Sequence, residues 1–311
     1  GPGGYQLGAF PPPFLEWNDR YRDGVRRFWR GDDDMVRRLA DRLTGSARQF
    51  DHSGRPATSS VNLLTAHDGF TLMDTVTYSQ KHNQANAEGN RDGHGENFSD
   101  NMGVEGPTED AAINAARARR RRNMMATLLL SQGTPMILAG DELGRTQGGN
   151  NNAYNQDNAT TWLDWSAVDT PFLNFTRAMI AFRKSRPILR QKLFLHSNER
   201  GTDGLEDLFW RREDGTPMRE QDWNDPDLRI LCAELRMASA SPTYAEQPNA
   251  IFAVFNAGTE IEVTLPQPPQ GKHWCLQVDT STEAMPPPQI GGKTYQCPAD
   301  CVLVFDLDSG A

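Results

Sequence analysis

Cysteine is scarce in this chain. There are four residues in 311, Cys232, Cys275, Cys297 and Cys301, all in the last third. Their spacing fits neither a zinc site nor a disulfide-dense secreted scaffold, so reduced thiols in a cytoplasmic protein are expected. Long apolar runs are missing as well: none approaches the roughly 18 residues a membrane helix needs, and no membrane partner is expected. Positive charge is in deficit, with 32 basic against 41 acidic residues and a net charge of -9. That balance argues against nucleic acid, whose binding requires a positive surface to displace counterions. Lysine is rarer still, since 27 of the 32 basic residues are Arg, a skew that codon composition explains before function does. The opening Gly1-Pro2-Gly3-Gly4 is neither a signal peptide nor a translation start, so the chain is expected to begin in mid-protein or after processing. No internal repeat is visible.

What remains is a polar but ordered composition, 37% hydrophobic and 9% aromatic, too rich in Trp and Phe for disorder. At about 100–200 residues per domain, the length suggests two domains. Up to about residue 187 short apolar strands alternate with helical segments, an α/β pattern. Strands are expected at 14–18, 61–66 and 135–139. A helix is expected after Asp32-Asp33-Asp34, with Met35, Val36, Leu39 and Leu43 on one face. A second is read as capped by Thr108, with Glu109 and Asp110 in its first turn, ending near Gly133. A third carries Phe172, Phe175, Met179 and Phe182 and stops before Pro187. From residue 188 the pattern changes to short alternating β segments, including 228–235, 251–255, 261–265 and 301–305. These suggest an all-β sandwich, with the proline-rich stretches 266–269 and 286–288 as surface loops.

Two strand ends carry candidate chemistry. His67-Asp68-Gly69 follows the second strand, where a His and a carboxylate can orient a polar substrate and stabilise developing positive charge. The third strand closes on Asp141-Glu142, which would bring carboxyl groups together if the strand ends are adjacent; both pairs can equally serve as turn caps. Two long polar loops, 83–101 and 147–158, are dense in Asn, Gln, Asp and Gly, with Tyr78, Phe98, Tyr154, Trp162 and Trp165 nearby. Amides that bond hydroxyls and flat rings that stack on a pyranose are what sugar binding requires. Arg119 to Arg122 read as a solvated helix face. His82, His94, Asp51 and His52 show no ligand spacing, so no metal is proposed. Three strand-helix units suit a small open sheet, yet both long loops follow strand C-termini, where barrel enzymes place their active sites.

Residues 61–72 (VNLLTAHDGFTL), 81–106 (KHNQANAEGNRDGHGENFSDNMGVEG), 128–158 (LLLSQGTPMILAGDELGRTQGGNNNAYNQDN) and 161–165 (TWLDW) resemble the bacterial glycogen debranching enzymes of isoamylase type, in the alpha-amylase superfamily. The resemblance covers essentially the whole chain and is weakest in the β region. It implies an α/β plus all-β architecture: the C-terminal part of a catalytic (β/α)8 TIM barrel, strands 6–8 and their helices, over residues 1–187, then a C-terminal β-sandwich over 188–311. The implied activity is retaining hydrolysis of α-1,6-glucosidic branch linkages in glycogen or limit dextrin, with no cofactor. His67 and Asp68 match the motif after the seventh strand, where the Asp stabilises the transition state and the His contacts the sugar. Tyr154, Asn155, Gln156, Asp157 and Asn158 match the substrate-facing loop after the eighth strand, and Asp141-Glu142 is assigned to site architecture. Asp100 and Met102 stand where the family pattern has Trp and Cys. Residues 1–8 resemble the segment just after the fifth-strand motif, so the nucleophile Asp and the general acid Glu are expected to precede Gly1. The chain alone is then expected to be inactive. Other readings are a trehalose-forming hydrolase or transglycosylase of the same superfamily, and a non-catalytic glucan-binding module.

Overall fold

A computed structural model describes residues 4–242, 250–287 and 289–308. Gly1, Pro2 and Gly3 of the opening segment, and Pro288 of the second proline-rich stretch, lie outside the described residues. The α/β region builds one parallel sheet in the order β1 (Glu16–Asn18), β2 (Ser60–Leu63), β3 (Thr134–Met136). Trp17 pairs with Val61, and Val61 with Thr134. The central strand β2 is buried along its whole length, as expected of a parallel strand covered on both faces. All three strands are shorter than the apolar runs in the sequence. The residues beyond the ladder turn away to form the loops that carry the candidate chemistry.

Three helical segments lie between β1 and β2: α1 (Asp19–Arg30), α2 (Val36–Leu43) and the single turn α3 (Ala47–Phe50). α1 has no counterpart among the expected helices. Its five arginines mask an apolar stripe, Tyr21, Val25, Phe28 and Trp29, that is fully buried. Asn18 caps it by accepting from the Tyr21 amide at 2.9 Å, and Gly31 closes it with φ of 86°, in the left-handed region open to glycine.

α4 (Ala111–Leu130) follows the first long loop, and α5 (Thr170–Ser185) completes the region. The cap of α4 is Asp110, not Thr108: its carboxylate accepts from Ala112 and Ile113 amides at 2.8 and 3.2 Å. The helix ends at Leu130. The arginine run on α4 is not a solvated face, since Arg120, Arg121 and Arg122 are all buried. Arg121 pairs with Asp169 at 2.6 Å and lies over the Phe172 ring, while Arg122 donates to the Thr280 carbonyl at 2.9 Å. The second half of α4 runs through the core, so its polar side chains are buried together with partners.

Beyond residue 188 lie β4 (Leu208–Arg211), α6 (Glu220–Trp223), β5 (Ile230–Leu235), β6 (Ile251–Asn256), β7 (Ile261–Thr264), β8 (His273–Asp279), β9 (Gln289–Ile290), β10 (Thr294–Cys297) and β11 (Cys301–Asp308). They form a six-stranded antiparallel sheet, β4-β5-β6-β11-β8-β9, and a two-stranded ribbon, β7-β10. Side-chain alternation divides this sheet between two cores. Ile251, Ala253 and Phe255 of β6, with Val302 and Val304 of β11, join Trp29, Met125 and Phe175 from the helices. Phe252, Val254, Leu303 and Phe305 face the other way, onto Val263 and Cys297 of the ribbon. The larger sheet is therefore covered by helices on one face and by the ribbon on the other. One hydrophobic core runs continuously across residue 187. Among the described residues, no helix is long and apolar enough to cross a membrane.

Candidate functional site

β2 delivers Leu64, Thr65 and Ala66 buried, and the chain then turns so that His67 and Asp68 emerge. Two buried groups enforce that turn. Asp141, just beyond β3, accepts from the Leu72 amide at 2.9 Å and from the Thr65 hydroxyl, gripping the turn at both ends. Arg26 of α1 donates to the Leu64 carbonyl and to the Asn97 carbonyl, both at 2.8 Å, tying the strand end to the following loop. Burial pushes the Asp141 carboxyl up to about 6 against the pull of those two donors, Arg26 and Arg145. The same burial brings the Arg26 guanidinium down to about 9. Both are structural charges taken out of water.

Asp68 stands in the open, its side chain 55% exposed, at the wall of a cavity of about 620 Å³. His94 Nε2 lies 3.9 Å from its Oδ2, and the ring of His67 meets Trp17 edge-on with centroids 6.0 Å apart. Trp17, Arg22 and His94 share the cavity with Asp68. Two further carboxylates line it, and both are engaged: Glu16 by Arg55 and the Gly8 amide, Asp19 by the Tyr5 hydroxyl. Among the described residues lining this cavity, Asp68 is the carboxylate left available to a ligand. His94 and Trp17 are not legible as site residues. His94 lies 26 positions after Asp68 in an apparently featureless polar loop, and Trp17 reads only as part of an apolar strand.

The polar loops prove to be a built object. Asn83 and Asn151 exchange bonds across the two loops, side-chain amide to side-chain oxygen and backbone amide to side-chain oxygen, both at 2.9 Å. Asn151 also donates to Asn97 and to the His94 carbonyl at 2.9 Å, which holds the segment bearing His94. Asp92 accepts from Asn86 at 2.7 Å and Asn152 at 2.9 Å. These amides hold its carboxyl below the usual range. Gly93, at φ of 73°, sits where a Cβ would run into the amides of Asn83 and Asn151.

The residues expected to face substrate are only partly free to do so. Gln156 spends its amide on the Ala85 carbonyl at 3.0 Å and Asn86 at 2.9 Å, so it fastens the loop. Asn158 donates to Gln156 and accepts from the Thr160 amide, and Asp157 accepts from the Trp162 indole at 3.0 Å. Asn155 reaches the Asn86 carbonyl at 3.5 Å, and Tyr154 is 72% exposed. None of these five lines the cavity that holds Asp68. The two groups are joined through the amide network, by way of Asn151 and the loop that carries His94. Glu142 turns back to accept from the Gly140 amide at 2.9 Å and Asp141 is taken up by the turn, so neither joins Asp68 in lining the cavity.

No family model matches the chain. Its fold is similar to part of the solved pullulanase structures. The pullulanase type I of Bacillus subtilis strain 168, solved with maltose, matches with a TM-score of 0.65 at 19% identity over 95% of this chain and 35% of that one. The Bacillus acidopullulyticus pullulanase matches with a TM-score of 0.62 at 19% identity, over 94% of this chain and 30% of that one. In sequence, the chain is 49% identical over 237 residues to the glycogen debranching enzyme of Serratia proteamaculans, covering 76% of this chain and 35% of that protein. It is 41% identical over 307 residues to that of Pectobacterium carotovorum, covering 98% and 43%. With the glycogen operon protein GlgX homolog of Mycobacterium tuberculosis H37Rv it shares 43% identity over 289 residues, covering 90% and 40%. Over most of its length the chain is similar to the bacterial glycogen debranching enzymes, of which it matches a C-terminal part. It spans about two-fifths of the length of these curated relatives.

Proposed function

We propose that the chain supplies one side of a site that hydrolyses α-1,6 branch linkages of glycogen or a related α-glucan with retention of configuration. Asp68 stabilises the positive charge that develops at the anomeric carbon, and His67 contacts the sugar beside it. Tyr154, with its ring open to solvent, is the stacking surface of the second loop, and Asn155, Asp157 and Asn158 offer the remaining polar atoms of its rim. Gln156 positions that loop. The observation that carries this reading is the lone available carboxylate: Asp68 faces an open cavity whose other carboxylates are engaged. A retaining glycosidase needs a nucleophile and an acid/base about 5–5.5 Å apart, and this wall of the cavity has neither partner for Asp68.

The completing carboxylates belong, in this reading, to further parallel strands beyond β1. The edge position of β1 supports this, because Phe14, Leu15 and Trp17 lie more than half exposed beside an unpaired strand edge. Left bare, such a surface promotes aggregation, and pairing with another strand covers it. The proposal thus reads β1, β2 and β3 as strands 6–8 of a (β/α)8 barrel, residues 1–187 as its C-terminal part, and 188–311 as the following β-sandwich.

A product assay on the longer protein tests the function. Linear α-1,4 chains released from limit dextrin support it, whereas chains transferred to an acceptor make the enzyme a transglycosylase.

A further inference from the structure

We propose that the cleft between α2, α3 and α6, away from the Asp68 cavity, binds a small phosphorylated compound that carries a ring. The cleft encloses about 420 Å³ and is lined by Arg20, Arg37, Arg38, Arg42 and Arg48, by Asp34 and Asp41, and by Trp223. A second hollow of about 350 Å³ shares Arg37, Arg48 and Trp223 and adds Trp210. The two indoles meet edge-on, centroids 5.9 Å apart, so the Trp223 ring is held by its neighbour. Guanidiniums and a fixed aromatic ring lining one space suit a phosphate ester on a sugar or a nucleoside. The guanidiniums take the phosphate and the indole takes the ring.

Three features separate this cluster from the general arginine excess. Many arginines elsewhere have partners: Arg26, Arg117 and Arg183 donate to backbone carbonyls, and Arg55, Arg121 and Arg211 pair with carboxylates. Among the described residues, Arg37, Arg38 and Arg48 have neither kind of partner, though all three face one cavity. Arg37 and Arg38 also sit in the first turn of α2, which has no acidic residue and no side-chain cap. Cations there oppose the helix dipole, and a bound anion would offset that cost. Lastly, Arg42 is buried in the same wall, and burial lowers its pKa, with its partner Asp41 opposing and Arg20 and Arg38 adding repulsion.

The walls come from both halves of the chain and are fastened at the rim. Arg229 pairs with Asp33 at 2.7 Å, and the Asp34 amide donates to the Pro226 carbonyl at 3.2 Å. A compound bound here would tighten the junction of α2 with the segment around α6. That gives the site an effect on stability that does not depend on glucan chemistry.

The test uses the 311-residue chain, titrated by calorimetry and tryptophan fluorescence with glucose 6-phosphate, AMP, inorganic phosphate, sulfate and glucose at fixed ionic strength. At least one ring phosphate should bind saturably, about tenfold or more tighter than inorganic phosphate, with glucose alone silent. Which of the two binds tells a sugar site from a nucleotide site. Arg37→Gln with Arg38→Gln should weaken that binding about tenfold or more, and should raise the melting temperature of the unliganded chain by relieving like-charge repulsion. Trp223→Phe should remove most of the fluorescence response. The proposal is overturned by the absence of saturable binding below about 1 mM, by equal affinity for sulfate and both ring phosphates, meaning an adventitious ion only, or by binding that the double substitution leaves unchanged.

Discussion

Asp68 and Asp141 stand at the mouths of neighbouring strands and have opposite fates. Asp68 is left in water with His94 beside it, while Asp141 is buried and bonded to the turn that presents Asp68. Burial raises the Asp141 pKa from 3.8 to about 6, so the fold favours its protonated form. Its contribution to stability is fully present below about pH 3.8 and is lost as the pH rises through about 6. Asp141→Asn keeps an acceptor for Leu72 and gains a donor for Thr65. Denaturation at pH 4, 5, 6 and 7 should show that this variant loses less stability than the parent chain over that range. Asp141→Ala should cost about 1–3 kcal/mol throughout, because the Thr65 and Leu72 donors then lack their acceptor. In the longer protein, Asp68→Asn should lower kcat by about 10²-fold or more with little change in KM, the pattern expected when a charge acts mainly on the transition state. A kcat within a factor of two of the parent would mean that Asp68 is not at the reaction centre.

At the scale of elements, legibility followed periodicity. α5 shows a clean spacing of 3.6 in its apolar residues, β5, β6 and β11 are short, nearly continuous apolar runs, and all four form close to where those patterns put them. α1 is as periodic, but its five arginines hide the stripe that Tyr21, Val25, Phe28 and Trp29 bury. α4 misleads in the other direction. Its Arg120 to Arg122 look like a solvent face and are packed against α5 and the turn at Thr280, an outcome that only tertiary contacts decide. The loops carry the largest difference. Their composition announces polar chemistry, yet most of their amides bond one another rather than waiting for a ligand. Which amide serves the loop and which faces the cavity depends on pairings across some 70 residues, such as Asn83 with Asn151. The network makes a definite prediction. Asn151→Ala should cost about 1–3 kcal/mol and raise hydrogen exchange over residues 82–98, while exchange in α4 and β11 stays slow. Exchange that rises equally everywhere would mean that the network is part of the global core and not a local clasp.

For the molecule as a whole, the sequence pattern changes near residue 187, where we propose that an α/β region gives way to a β region. The single core running across that point could not be read from that change. It arises because alternate residues of β6 and β11 serve different cores, a fact that depends on which strands become neighbours. The same whole-molecule view gives the functional account its form: a β region, three parallel strands with an open edge and, among the described residues, a cavity with one available carboxylate. The most direct measurement is the rate at which the purified 311-residue chain releases linear oligosaccharides from limit dextrin, set beside a version extended N-terminally to the length of its relatives. The account predicts no release above background from the chain alone, and release by the extended protein that Asp68→Asn suppresses. Turnover by the 311 residues alone would contradict it, since the chain would then hold a complete site.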